Sequence, residues 1–231
     1  MGSEVADVEP IKVSTLAEFE WDPVDAYIEH LKEINDPRVE SKAKESPALE
    51  AGEELHGSSF GLLVTPKAED TGRQILEKMR VERVTAINHG DYQIQGAPDE
   101  VVLKGDSVRV EDLKTTNWDD REFWETHQLP PAALQLRIYS WMLSHVPDVS
   151  VEDPVVHVKR REDGEAVDWF THEVNFDYDE TEQQIDRVLS LFERPAELWN
   201  RRSHAEWKAD YWPEYRELGL VEDNQRTLDD F

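Results

Sequence analysis

The sequence predicts a single mixed α/β domain, and three observations predict it. Apolar residues recur at helical spacing in three well-separated segments, short β-branched runs bounded by turn residues lie between them, and no linker is long enough to divide the 231 residues. Residues 1–12 and 222–231 read as tails, and no internal repeat is visible.

Taken in order, Asp22-Pro23 is a strong helix start, with the acid as N-cap and proline in the first turn. Val24, Tyr27, Ile28 and Leu31 then recur at helical spacing to about Ile34. Residues 35–47 are polar with two prolines and read as a loop. Helices are expected over about 48–63, carrying His56, and about 69–80 after Pro66. Strands follow near 83–88 and 92–95, joined at His89-Gly90-Asp91, and then a hairpin over 99–114. After Pro130-Pro131, the stripe Leu134, Ile138, Trp141 and His145 marks a helix. Two more strands, Val155 to Lys159 and Val167 to Val174, flank the turn at Glu162-Asp163-Gly164, and a helix from about Tyr178 to Phe192 closes the core.

Composition bounds the setting. There is no cysteine, which excludes disulfides, thiolate metal sites, an iron–sulfur cluster and cysteine nucleophiles. No apolar run reaches the roughly 18 residues of a membrane span, and the N-terminus lacks a basic-then-apolar signal, so a cytoplasmic protein without a membrane partner is expected. The formal charge is -27, from 52 acidic and 25 basic residues spread along the chain. Eight Trp, seven Phe and six Tyr argue for a packed core over disorder. Such self-repulsion is tolerable where salt is molar and the Debye length is about 3 Å, so a high-salt, halophilic cytoplasm is the expected setting. A DNA mimic, which neither binds Mn²⁺ nor cuts, is the rival explanation for the charge.

The chemistry concentrates in Gly96-Ala97-Pro98-Asp99 and the hairpin after it. Val101-Val102-Leu103 and Val108-Arg109-Val110 are strand-forming, and Gly105-Asp106-Ser107 supplies the turn. Pairing centred on position 106 sets Asp99 nearly opposite Leu113, with Asp112 and Lys114 on one face of their strand and Glu111 on the other. Two carboxylates beside one ammonium suit metal-assisted cleavage of a phosphodiester. The tripeptide pattern is weak by itself, since an acid two before a lysine also occurs at Glu40-Ser41-Lys42 and Glu206-Trp207-Lys208. Only Asp112-Leu113-Lys114 ends an apolar strand, follows G-x-P-D, and precedes a helix carrying Gln135 and Tyr139. Those two residues sit four apart on one helix face. Arg137, Lys159, Arg160 and Arg161 are basic residues available to a substrate, or a plain solvated face.

The order His56, G-x-P-D ending at Asp99, E-D-L-K from Glu111 to Lys114, and Q-L-R-I-Y from Gln135 to Tyr139 resembles the PD-(D/E)XK nuclease superfamily. Within it, the chain is most similar to the RecB- and AddB-like branch that includes CRISPR-associated RecB-like exonucleases, over roughly residues 14–215. The resemblance implies a restriction-endonuclease-like core, a mixed central β-sheet flanked by helices with an N-terminal helical segment. It implies a Mg²⁺- or Mn²⁺-dependent deoxyribonuclease, an exonuclease of DNA repair, recombination or replication. His56, Asp99, Asp112 and the Leu113 carbonyl would ligate the metal. Lys114 would orient or activate water, and Gln135 and Tyr139 would form the Q-x-x-x-Y motif. The alternative is a catalytically silent nucleic-acid- or protein-binding module of the same fold. Many relatives in that branch hold a 4Fe-4S cluster through cysteines that are absent here; Trp21, Trp207 and Trp212 occupy those segments and are expected to replace the cluster by aromatic packing.

Overall fold

The computed structural model describes residues 8–39, 85–104, 107–147, 149–162, 165–198 and 212–220. The expected helices over 48–63 and 69–80, with His56, lie outside them.

β1 (Glu9–Lys12) runs directly into the short helix α1 (Val13–Glu18), and α2 (Pro23–Glu33) follows. The Asp22 carboxylate caps α2 by accepting from the Val24 and Asp25 amides at 3.2 and 3.1 Å, as the Asp-Pro pair predicts. Residues 9–12 thus form a strand inside a stretch that reads as a tail from sequence.

β2 (Thr85–His89) and β3 (Tyr92–Gly96) form a hairpin, and β1 adds to β3 in parallel to complete a three-stranded sheet in the order β1-β3-β2. Gly90 takes φ 60° at the hairpin turn, a conformation in which a side chain is strained.

β4 (Glu100–Lys104) and β5 (Ser107–Thr116) begin the second sheet. Helices α3 (Arg121–His127) and α4 (Leu129–Ser144) carry the chain over to β6 (Ser150–Val151) and β7 (Val155–Glu162), both parallel to β5, and β8 (Glu165–Glu173) returns antiparallel to β7. The order is β4-β5-β7-β8, with β6 on β5. α5 (Tyr178–Phe192), a 3-10 turn at Pro195–Glu197 and α6 (Trp212–Glu217) complete the described chain.

α4 is the structural centre. Leu134, Leu136, Ile138, Trp141, Met142 and Leu143 are all at most 1% exposed, so the helix is apolar around most of its circumference, as a helix enclosed on several sides must be. It packs on α1, α3, α5 and on β2, β5 and β7. β5 is enclosed similarly: Glu111, Asp112 and Leu113 are consecutive and all buried, so both faces are covered there. Helices against mixed sheets give the α/β architecture expected, consistent with a restriction-endonuclease-like fold. Among the described residues no helix is long and apolar enough to cross a membrane.

Candidate active site

The hairpin register differs from the sequence expectation by one residue. Lys104 pairs with Ser107 and Glu100 with Glu111, so Ser107 belongs to the strand. Ser107 is held in the strand from both sides, by its pairing with Lys104 and, through β6, with Ser150. The shift carries Asp99, immediately before β4, to the level of Asp112 and not of Leu113. It matters because a one-residue slip exchanges the two faces of a strand.

The two carboxyl groups of Asp99 and Asp112 hydrogen-bond to each other, and the Leu113 backbone N–H donates to Asp99. Burial first, and then the hydrogen bond and charge of Asp112, push the Asp99 carboxyl up to about 7, while Lys114 and the Leu113 amide pull it the other way. Asp112 is 2% exposed. Lys114 Nζ lies 2.9 Å from Asp112 Oδ2 and donates to Gln135 Oε1, also at 2.9 Å. Gln135 in turn hydrogen-bonds Tyr139 one turn along α4, and the Tyr139 phenol, buried and facing both carboxylates, is pushed up to about 12. Asp99, Asp112, Lys114, Gln135 and Tyr139 therefore form one connected chain of contacts. The Leu113 side chain points to the opposite, buried face while its backbone meets the site.

Gly96 explains how α4 comes so close. A Cβ there would stand 2.9 Å from Tyr139 Cε1 and 2.9 Å from Val13 Cγ2, so the first residue of G-x-P-D must lack a side chain for α1 and α4 to close on β3. A glycine ending a strand pattern signals such close backbone approach.

Beside Lys114 and Gln135 opens a pocket of about 240 Å³, lined further by Ser14, Ala17 and Glu18 of α1, Thr115 of β5, Trp124 and Gln128 at α3, and Pro131 and Ala132 of α4. Sequence reasoning missed both α1 and α3, and with them this wall. For α3 a signal existed: Asp120 is an N-cap, accepting from the Phe123 amide at 3.1 Å, ahead of aromatic residues at 123, 124 and 127.

Three of the four candidate basic residues are engaged elsewhere. Arg137 donates to Gln184 of α5, Lys159 pairs with Asp168, and Arg160 pairs with Asp119. Trp21 meets His127 edge to face at 5.6 Å. Trp207 and the side chain of Trp212 lie outside the described residues, so the suggested aromatic substitute for a cluster does too.

The donor chemistry fits a hard divalent cation. Two carboxylates forced together, with one of them holding its proton to about pH 7, form a site whose second negative charge is stabilised when a cation arrives. Among the described residues no third His, Asp or Glu joins them in a metal-ligating group.

The mixed α/β core thus presents an Asp–Asp pair, a lysine two residues on and a Gln-x-x-x-Tyr helix side by side. The PD-(D/E)XK nuclease superfamily matches residues 15–215, and the chain belongs to that superfamily. Among solved structures, the chain is similar to that of SSO0001, at 18% identity over 97% of this chain and 91% of the other, with a TM-score of 0.46. It is also similar to a candidate exonuclease from Eubacterium rectale, at 13% identity over 84% and 86% of the two chains, with a TM-score of 0.47. No curated protein matches the sequence.

Proposed function

We propose that this nuclease is a Mg²⁺- or Mn²⁺-dependent deoxyribonuclease acting as an exonuclease in DNA repair, recombination or replication. The observation that carries the catalytic reading is the buried Asp99–Asp112 pair with Lys114 Nζ 2.9 Å from Asp112.

Asp99, Asp112 and the Leu113 carbonyl would hold the metal, with His56 added by family resemblance. Bound there, a divalent ion supplies Lewis acidity, lowering the pKa of water and offsetting phosphate charge. Lys114 positions the attacking water and steadies negative charge developing on phosphate. Gln135 holds the Lys114 ammonium in place and, with Tyr139, fixes the strand for in-line attack. The water oxygen forms a new bond to phosphorus as that water gives up one proton to solvent, the bond to the leaving sugar oxygen breaks, and the leaving oxygen takes up one proton from solvent, so that one water is consumed for each bond cut. The acidic surface and expected molar salt mean that long-range attraction contributes little to holding DNA.

Digestion of 5′- and 3′-labelled single and double strands with Mg²⁺ or Mn²⁺ at molar KCl tests this reading. The wild type cuts from an end, and Lys114→Ala abolishes cutting with an unchanged circular dichroism spectrum. Undiminished cleavage by Lys114→Ala would remove the mechanism.

A further inference from the structure

Beyond the pocket lies a run of aromatic rings, of which Phe123 is exposed and Trp118, His127 and Trp21 are half-buried. Trp118 meets Phe123 edge to face at 4.5 Å, Phe123 stacks on His127 at 4.1 Å with 25° between planes, and His127 meets Trp21 at 5.6 Å. Phe123 is 44% exposed, and with Val167 it makes up the exposed large hydrophobics among the described residues. The rings are held in place. His127 Nδ1–H donates to the Phe123 carbonyl at 2.8 Å, and the Trp118 amide donates to Thr116 Oγ1 at 3.1 Å.

This run adjoins the pocket wall on three elements. Phe123 and His127 are one turn apart on α3, and their chain neighbours Trp124 and Gln128 line the pocket. Glu18 lines it from α1, and Trp21 stands three residues on. Thr115 lines it from β5, and Trp118 stands three residues beyond. Three of the nearby acids serve the fold: Asp119 pairs with Arg160, Asp120 caps α3, and Glu125 holds Arg121 at 2.8 Å.

Resting on the nuclease reading, we propose that Trp118, Phe123, His127 and Trp21 form a stacking platform that delivers single-stranded DNA to the Lys114 side of the pocket. Every base has a π-face, so rings bind a single strand without reading its sequence, whereas a duplex keeps its bases stacked inside. Stacking also does not depend on neutralising phosphates. It therefore suits a chain of net charge -27, for which added salt screens repulsion from DNA instead of displacing attraction.

The test uses the full chain in EDTA, so that nothing is cut, with fluorescein-labelled 15-mer oligo-dT followed by anisotropy from 0.2 to 3 M KCl. The oligonucleotide binds, the affinity holds or rises with salt, and a duplex of the same length binds at least about tenfold more weakly. Phe123→Ala weakens binding about tenfold, Phe123→Trp restores it, and both keep the wild-type melting temperature. Wild-type affinity in a folded Phe123→Ala, equal binding of the duplex, or a steep fall in affinity with KCl would each overturn the platform. Its failure is separable from that of the nuclease reading. A protein that cuts DNA while Phe123→Ala binds normally loses only the platform, and one that binds oligo-dT through Phe123 but never cuts with either metal loses only the catalytic reading.

Discussion

The β4–β5 hairpin carries two acidic pairs one residue apart, on opposite faces. On one face Glu100 lies across from Glu111; on the other Asp99 meets Asp112. The glutamate face supplies its own compensation. Burial pushes Glu111 up, but hydrogen bonds from Arg109, with Nε at 2.8 Å, and from His157, with Nε2 2.7 Å from Oε2, outweigh it and hold the carboxyl below its usual range. The aspartate face has Lys114, which also serves Gln135, and Asp99 stays raised to about 7. Each face holds one raised carboxyl, Glu100 or Asp99, but only the glutamate face sets a guanidinium and an imidazole on the other acid, and that unequal compensation is why the aspartate pair is the one proposed to react.

The largest contrast should come from neutralising one acid on each face. Asp112→Asn is expected to lower kcat/KM on labelled DNA by on the order of 10³-fold, because on the proposed mechanism metal and lysine would both lose their anion. Glu111→Gln should leave activity within about threefold. It should cost about 2 kcal/mol of stability by stranding Arg109 and His157, lowering the melting temperature by roughly 4–8 °C. Equal loss of activity in the two variants would break the comparison.

The unequal faces also show what the sequence could disclose. The G-x-P-D, D-x-K and Q-x-x-x-Y spacings named Asp99, Asp112, Lys114, Gln135 and Tyr139, which the fold brings into contact, and helical periodicity marked α2 and α5 nearly to the residue. Those signals are local, set by residues two to four apart. The hairpin register was not legible, because Gly105-Asp106-Ser107 is all turn chemistry, and the pairing of Ser107 with Ser150 that makes it strand is far off in sequence. Compensation of Glu111 was equally hidden, since His157 reaches it only through parallel pairing of β5 with β7 across α3 and α4. Gly96 stood in plain view, but its reason lies in Tyr139 and Val13, far off in sequence.

Stability against pH sharpens the contrast further. Asp99 is raised from 3.8 to about 7, so the folded, metal-free protein holds this proton more tightly than the unfolded chain does. Its contribution is therefore full below pH 3.8 and is lost progressively as pH rises toward 7. Melting temperatures in EDTA should fall between pH 5 and 8 by more for wild type than for Asp99→Asn. Manganese should restore the wild type at pH 8, with roughly one proton released per ion bound at pH 6. Parallel curves for the two proteins would mean that the acid pair is not strained as described.

A smaller effect belongs to the scaffold behind the site. Gly96→Ala places a methyl group 2.9 Å from the Tyr139 ring and from Val13 Cγ2, and side chains on two helices must move to admit it. Overpacking of this kind costs about 1–3 kcal/mol. Because Tyr139 is tied to Gln135 and through it to Lys114, kcat should drop about tenfold, while the glutamate face is untouched. Chemical denaturation beside single-turnover cleavage would separate the two losses; a change in stability alone would detach Tyr139 from the reaction.

The smallest effect tests the glutamate face by itself. Glu100 is 6% exposed, and burial, followed by the charge of Glu111, raises its carboxyl from the usual range. Raised in the folded state, it too stabilises most when protonated, and that contribution declines as pH rises through its folded pKa. Glu100→Gln keeps the shape and removes the repulsion, so it should match wild type at pH 4 and gain up to about 1 kcal/mol at pH 8, the size of one cross-strand pair. Urea unfolding at the two pH values measures the difference. A gain sets this pair apart from Asp99–Asp112, where on the proposed mechanism the same acid-to-amide change would remove a metal ligand. A loss at pH 8 would mean that the Glu100 charge is itself held by the Arg109–Glu111–His157 cluster, and the balance assigned to that face would then have to include it.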